Sequence, residues 1–146
     1  MLTKEQYDEL VCGLETRKRD NGEEFICRKD GLSEKVEELI RDTAMDINES
    51  THDLDLSYDI LDKALNALYD LEYEDVIKED FDVYEHYDRY ASVYNSDLLR
   101  YLNTWNEDEI YQCMHGSSIS EACAYWFDNQ VQETIQSIIN AIKEEK

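Results

Sequence analysis

Hydrophobic residues recur every three or four positions along much of this chain, which is the pattern of amphipathic helices. Thr3 and Gln6 match a capping box, so a first helix is predicted from there to about Gly13. Ser33 is expected to begin a second helix. The inward positions of that helix are Val36, Leu39, Ile40 and either Thr43 or Ala44.

A third helix is predicted after the polar stretch NESTHD, with either Asp55 or Ser57 as its cap. Its wide apolar stripe consists of Ile60, Leu61, Ala64, Leu65, Leu68 and Leu71. Residues 75–88 are expected to form one or two helical segments. The residues expected to point inward from them are Val76, Ile77, Phe81, Tyr84 and Tyr87.

Three more helix starts are predicted towards the C-terminus, at Ser96, Asn106 and Ser118. Glu109 and Glu121 complete capping boxes for the second and third of these. The terminal helix would carry Ala122, Trp126, Val131, Ile135, Ile138, Ile139 and Ile142.

Residues 16–31 are the least regular part of the sequence. The stretch EFICR fits either a short strand or a loop, and no partner strand is evident from the pattern. The sequence therefore predicts a mainly α protein, a single acidic helical domain over 1–146. Six to seven helices are expected, with one short strand or hairpin near residues 23–29.

Charge sets this chain apart from an ordinary globular protein, because 36 acidic residues against 14 basic ones give a formal net charge of -22. Hydrophobic residues make up 42% of the sequence, which is enough for a core. A strongly negative surface repels nucleic acid and anionic membranes and attracts cationic proteins. Direct nucleic-acid binding and membrane binding are therefore not expected. Solubility or adaptation to salt is the alternative reason for such a charge.

A cytosolic location is expected, because no apolar run approaches the roughly 20 residues of a membrane span and the first ten residues lack a signal-peptide pattern. Four cysteines without a CxxC pair are then expected to be reduced and partly buried. They are Cys12, Cys27, Cys113 and Cys123.

Neither catalysis nor metal binding is expected, since no motif for either is complete. The window 53–64 has oxygen ligands at calcium-loop spacing, but Tyr58 replaces the required Gly and Ala64 replaces the bidentate Glu. Cys113, His115 and Cys123 match no common zinc spacing. The chain also lacks a nucleophile elbow, a P-loop and a dinucleotide fingerprint. We therefore expect no catalytic residues, no cofactor and no bound metal.

Residues 70–88 combine carboxylates with large aromatic rings, and Lys78 is their only Lys or Arg. Rows of carboxylates can take the place of phosphates opposite the Lys and Arg of a nucleic-acid-binding protein. As one straight helix this segment would span roughly 28 Å, opposite about eight base-pair steps. The predicted partner-binding residues are Asp70, Glu72, Tyr73, Glu74, Asp75, Glu79, Asp80, Asp82, Glu85, Asp88 and Tyr94.

The stretch DRYASVYNSDLLRYLNTW, residues 88–105, resembles a segment of small acidic phage and mobile-element proteins. The matching positions are Val93, Tyr94, Asn95, Asp97, Leu98 and Leu99. The small, acidic, Tyr-rich composition is also similar to that of anti-CRISPR and DNA-mimic antirestriction proteins. This resemblance implies an inhibitor in the cytoplasm of a bacterial host that occupies the nucleic-acid site of a defence effector. A Cas effector, with Cas9 as the first candidate, is the implied partner.

Two alternatives to a nucleic-acid mimic remain open from the sequence. One is an allosteric or assembly-blocking inhibitor, or a homodimer, that uses an apolar face on the terminal helix. That face would contain Tyr125, Trp126, Phe127 and Val131. The other is an acidic helical protein of the host whose charge serves solubility alone.

Overall fold

Helices dominate the part of the chain that the structure describes. A computed structural model describes residues 1–82 and 119–144, without the side chains of residues 119–126. Five helices and one hairpin lie in these ranges, so the mainly helical prediction is confirmed, although the helix count differs from six to seven. The elements are α1 (Lys4–Val11), β1 (Leu14–Lys18), β2 (Glu24–Arg28), α2 (Glu34–Thr51), α3 (Leu54–Tyr69), α4 (Tyr73–Val76) and α5 (Ile119–Lys143).

Helix α3 is the centre of the core, since it packs against α1, α2, α5 and strand β2. Its predicted apolar stripe is buried from Ile60 to Leu68, and Leu71 packs partly buried just beyond the helix end. Five of the seven predicted inward residues of α5 are also buried, because their three- and four-residue spacing puts them on one face. These are Val131, Ile135, Ile138, Ile139 and Ile142. The side chains of the other two, Ala122 and Trp126, lie outside the described part of the structure.

The first helix begins as the sequence predicts. Thr3 Oγ1 accepts a hydrogen bond from the Gln6 N–H at 3.2 Å, and Gln6 Oε1 accepts one from the Thr3 N–H at 2.9 Å. The Ser33 side chain, in contrast, makes no capping bond to α2. Its backbone N–H donates instead to the carboxylate of Glu9 on α1, which joins the start of α2 to the first helix.

The corner between α2 and α3 is tighter than predicted. Helix α2 continues through the NEST residues to Thr51, and only His52, with φ of 54°, and Asp53 separate the two helices. Asp53 caps α3 by accepting from the Leu56 N–H at 3.1 Å, so the prediction of Asp55 or Ser57 as the cap was wrong. The hydroxyls of Thr51 and Ser57 lie 2.8 Å apart, and this buried contact closes the corner.

The stretch EFICR is strand β2, and its partner is β1. The two strands pair antiparallel, with Leu14 opposite Arg28 and Lys18 opposite Glu24. The partner was missed because β1 reads LETRK, which has too few apolar residues to give a strand pattern. At the end of the hairpin, Arg19 bonds both carboxylate oxygens of Asp55, at 2.8 and 2.9 Å.

Helical structure in residues 70–82 is limited to the single turn of α4, after which the backbone continues through turns to Phe81. The expected helical segments over 75–88 are therefore absent up to residue 82 apart from the end of α4, and residues 83–88 lie outside the described ranges. The span of roughly 28 Å, which assumed one straight helix over 70–88, does not apply. Val76 is nevertheless buried, and Ile77 and Phe81 pack partly buried against the core as expected. Several predictions fall outside the described residues: Tyr84, Tyr87 and the helix starts at Ser96, Asn106 and Ser118.

Candidate acidic binding surface

Seven carboxylates lie exposed on residues 70–82, the short stretch that follows α3. They belong to Asp70, Glu72, Glu74, Asp75, Glu79, Asp80 and Asp82. We call residues 70–82 the acidic segment. Its only Lys or Arg is Lys78. All seven were predicted as partner-binding residues, and the structure brings them onto one continuous piece of irregular backbone.

Tyrosine hydroxyls hold the acidic segment onto the core. Tyr7 on α1 donates to the carbonyl oxygens of Leu68 and Leu71, at 2.6 and 3.1 Å. Tyr73 donates to the carbonyl of Leu2, and its ring lies 5.6 Å from that of Tyr7. These bonds fix the segment where it leaves α3 and again at α4, so its carboxylates stand on a defined backbone.

The far side of the segment is held by the last helix. Lys143, in the final turn of α5, donates from its ammonium group to the carbonyl oxygen of Lys78 at 2.6 Å. Val76, two residues earlier, is fully buried in the core. The turns after α4 are therefore attached to α5, although the sequence there has no regular helical pattern.

Few cations neutralise the acidic segment within the described residues. Lys4 lies 3.8 Å from Glu74, and Lys78 lies 3.1 Å from Asp75, and both pairs are exposed. Exposed pairs of this kind contribute little, because water screens them. In the described ranges no Lys or Arg lies within ion-pair distance of the remaining exposed acids Asp70, Glu72, Glu79 and Asp80. The segment therefore presents a negative field to solvent.

The arginines of the hairpin are paired with other acids of the chain. Arg17 bridges Glu15 and Asp30, and Arg28 lies 3.4 Å from Glu37 on α2. Arg19 also stacks over the ring of Phe25, with its central carbon 4.6 Å from the ring centroid. This basic cluster thus binds its own neighbouring acids.

Tyr73 does not stand out from the surface as the predicted anchor would. Its hydroxyl is bonded to Leu2 and its ring is half-buried against the core, so its role in the described structure is to hold α4 in place. Tyr69 was not among the predicted site residues, yet it is 64% exposed at the end of α3. Glu85, Asp88 and Tyr94 lie outside the described residues.

A groove borders the acidic segment on the side of α1. It has a volume of about 210 Å³ and lies between the first helix and the turn after α3. Tyr69 and Glu72 line one wall, and Asp8 and Cys12 line the other. The groove was missed because α1 and residues 69–73 come together only through the long-range bonds of Tyr7 and Tyr73. Helical spacing alone does not give that contact.

Two of the four residues of the apolar face proposed for the terminal helix are inside the protein. Phe127 is 3% exposed and Val131 is fully buried, so neither is available to a partner. The side chains of Tyr125 and Trp126 lie outside the described part of the structure. The exposed large hydrophobic residues of the described ranges are on other elements: Met1, Met45, Leu54 and Tyr69.

Metal ligands do not cluster in residues 1–82 and 119–144, where no group of three His, Cys, Asp or Glu side chains could hold an ion. The window 53–64 forms the cap and first turns of α3, as its sequence favoured over a calcium loop. Cys12 and Cys27 are free thiols, but Cys12 is exposed and not partly buried as expected. Cys113, His115 and the Cys123 side chain lie outside the description.

No helix in the described ranges is both long enough and apolar enough to cross a membrane. Comparison with known proteins gave no match: no protein-family model, no curated protein and no solved structure resembles this chain at a significant level. The resemblance of residues 88–105 to phage proteins therefore stays a prediction.

Proposed function

We propose that this protein is a stoichiometric inhibitor that binds a basic nucleic-acid-binding protein through the acidic segment and takes the place of nucleic acid there. The observation that carries this proposal is the set of seven exposed carboxylates on a backbone fixed by Tyr7, Tyr73 and Lys143. A cluster held in one arrangement loses less entropy on binding than carboxylates on a mobile tail.

The partner we propose is a bacterial defence effector, with a Cas effector, and Cas9 first, as the candidate to test. Support for this finer proposal comes from the acidic composition and from the resemblance of residues 88–105 to phage proteins. A nucleic-acid channel lined with Lys and Arg complements the field of Asp70, Glu72, Glu79 and Asp80. The protein would bind no nucleic acid itself, since both are negatively charged.

Irregular backbone changes what such a mimic would resemble. Because residues 70–82 pass through one helical turn and several further turns, their carboxylates do not follow a straight rod. The proposed contact is therefore a compact group of negative charges, comparable with a few neighbouring phosphates. It is not an eight-step duplex surface.

The test compares two triple variants with the same change in net charge. Asp70→Asn, Glu79→Gln and Asp80→Asn neutralise the acidic segment, whereas Glu38→Gln, Asp46→Asn and Glu49→Gln neutralise exposed acids of α2. Binding to guide-loaded Cas9 is measured by surface plasmon resonance at two salt concentrations. The first variant should associate at least about tenfold more slowly at low salt, and the second should remain close to wild type.

Competition with nucleic acid separates mimicry from other modes of inhibition. This protein and duplex DNA with a matching PAM compete if they use one site on Cas9. The apparent dissociation constant of this protein must then rise in proportion to the DNA concentration. A ternary complex formed at undiminished affinity would contradict direct mimicry. Equal weakening by the two triple variants would point to non-specific charge. Capture of no basic protein other than ribosomal ones from nuclease-treated bacterial lysate would favour the solubility explanation.

A further inference from the structure

The groove beside the acidic segment combines aromatic rings with carboxylates. We call it the tyrosine groove. Its lining includes the rings of Tyr7, Tyr69 and Tyr73, the carboxylates of Asp8 and Glu72, and Lys4. Tyr7 is almost fully buried and forms the floor, while Tyr69 is 64% exposed at the edge. Asp8 and Glu72 are both exposed, one on each side.

Two of the three rings of the groove, those of Tyr7 and Tyr73, are held in place by bonds at their far ends. The Tyr7 hydroxyl is bonded to Leu68 and Leu71, and the Tyr73 hydroxyl to Leu2. Their positions are therefore set before any ligand arrives. The faces of aromatic rings are electron-rich, so a positive group beside them is favoured.

The electrostatic potential at the floor of the groove is negative, which also favours a positive group. Burial raises the pKa of Tyr7 well above its usual value, and the negative charges of Asp8 and Glu72 raise it further. Both carboxylates thus act on one point between the two walls. Lys4 is the only cation in the lining. Its exposed ammonium group lies 3.8 Å from Glu74, a residue that is not part of the lining.

We infer that the tyrosine groove binds the guanidinium group of one arginine side chain from the cationic partner. A volume of about 210 Å³ is below the usual range of small-molecule pockets, which suits a single side chain. A planar guanidinium stacks on a ring such as Tyr69 and donates to carboxylates such as Asp8 and Glu72 at the same time. A lysine ammonium is more strongly hydrated and has no flat face to stack.

This inference rests on the proposed function in one respect, because the arginine belongs to the proposed partner. The groove itself can be tested without that partner. The probe is Nα-acetyl-arginine amide, compared with the citrulline analogue, which has the same shape but no charge, and with Nα-acetyl-lysine amide. Binding is followed by NMR of the ¹⁵N-labelled chain.

The arginine probe should produce saturable shifts centred on Tyr69 and Cys12. The lysine probe should bind about threefold to fivefold more weakly, and the citrulline analogue should give no shifts. Tyr69→Phe should keep the affinity for the arginine probe. Tyr69→Ala and Glu72→Gln should each lower that affinity, again by about threefold to fivefold. Glu49→Gln, at an exposed position of α2, is the matched charge control and should not change the affinity for the arginine probe.

Shifts that spread over all exposed carboxylates without saturating would overturn the inference, as would unchanged affinity in Tyr69→Ala. Both side chains changed here are exposed, and unchanged signals from α2 confirm that each variant is folded. A further outcome in the Cas9 assay is that the acidic-segment triple variant binds weakly while Tyr69→Ala binds as tightly as wild type. That result would refute arginine binding in the tyrosine groove and would leave the proposed inhibitor function standing. Saturable arginine binding by a chain that captures no cationic protein would support the groove and defeat the proposed inhibitor function.

Discussion

The hydroxyl of Tyr7 donates a 2.6 Å hydrogen bond to the carbonyl oxygen of Leu68, across 61 residues of sequence. The acceptor lies in the last turn of α3, where carbonyl groups lack the usual partner one turn further on. A bond of 3.1 Å to the Leu71 carbonyl extends the same contact past the helix end. One side chain of α1 therefore supplements the Leu71 N–H, which also bonds the Leu68 carbonyl, and sets the point from which the acidic segment departs.

Removing this hydroxyl should destabilise the protein. Tyr7→Phe keeps the buried ring but removes its bonds to the Leu71 carbonyl and to the Leu68 carbonyl, which still accepts from the Leu71 N–H. The loss should lower the free energy of unfolding by about 0.5–1.5 kcal/mol. Urea denaturation followed by circular dichroism measures the loss. Tyr69→Phe is the matched control, because that side chain is exposed and its change should stay within about 0.5 kcal/mol. Equal stability of the two variants would mean that the Tyr7 hydroxyl contributes nothing.

Gly13 is required by a close approach and should not tolerate a methyl group. A Cβ built there lies 2.6 Å from Ile40 Cδ1 and 3.0 Å from the Leu10 carbonyl oxygen. Gly13→Ala should therefore lower the free energy of unfolding by about 1–3 kcal/mol, as overpacking does. In an Ile40→Val background the nearest atom is gone, so the same substitution should cost less. Strictly additive effects in this double-mutant cycle would show that Ile40 is not the obstacle.

Periodic helices could be predicted from sequence because one residue pattern determines one buried face. Val36 and Ile40, Ile60 and Leu68, and Ile135 on α5 are all buried where the three- and four-residue spacing places them. Local polar patterns were less reliable. Several residues near the α2–α3 corner are able to cap a helix. Asp53 takes this position, and the hydroxyls of Thr51 and Ser57 bond its backbone.

The candidate site was predictable in composition and unpredictable in shape. Carboxylate crowding over residues 70–82 is visible in the sequence, but a run of acids does not specify helix or turn. The turn geometry depends on contacts from distant elements, namely Tyr7, Leu2 and Lys143. For the same reason Tyr73 looked like an exposed anchor, although its hydroxyl is committed to the backbone of Leu2.

Arg19 attaches the hairpin to α3, and a lysine should not replace it. Its guanidinium bonds both oxygens of Asp55 and stacks on Phe25. The ammonium group of a lysine has no flat face, so it cannot make both contacts at once. Arg19→Lys should cost about 0.5–1 kcal/mol and should speed hydrogen exchange in β1 and β2 more than in α5. Lys18→Arg is the control with the reverse change at the neighbouring exposed position. Unchanged exchange in the hairpin after Arg19→Lys would contradict a role for this contact.

Asp62 on α3 should make stability depend on pH in a direction unusual for a carboxylate. Burial raises the pKa of its side chain, while the charge of Lys63 and a 3.3 Å hydrogen bond from Asn66 oppose that rise. Because the folded pKa exceeds the unfolded one, the folded state holds the proton more tightly. This contribution to stability is complete below the unfolded pKa of about 3.9, and it is lost as pH rises through the folded pKa.

Asp62→Asn should therefore increase the free energy of unfolding at pH 7, since the amide is neutral and its oxygen still accepts from Asn66. The gain should shrink as the pH is lowered through the raised pKa of Asp62, because the aspartate of the wild type then becomes neutral as well. Urea denaturation at pH 7, 5.5 and 4.5 measures both effects. Asp46→Asn, at an exposed position of α2, removes the same charge from the protein as a whole. If it stabilises as much as Asp62→Asn at every pH, the cause is relief of general repulsion and not the burial of Asp62.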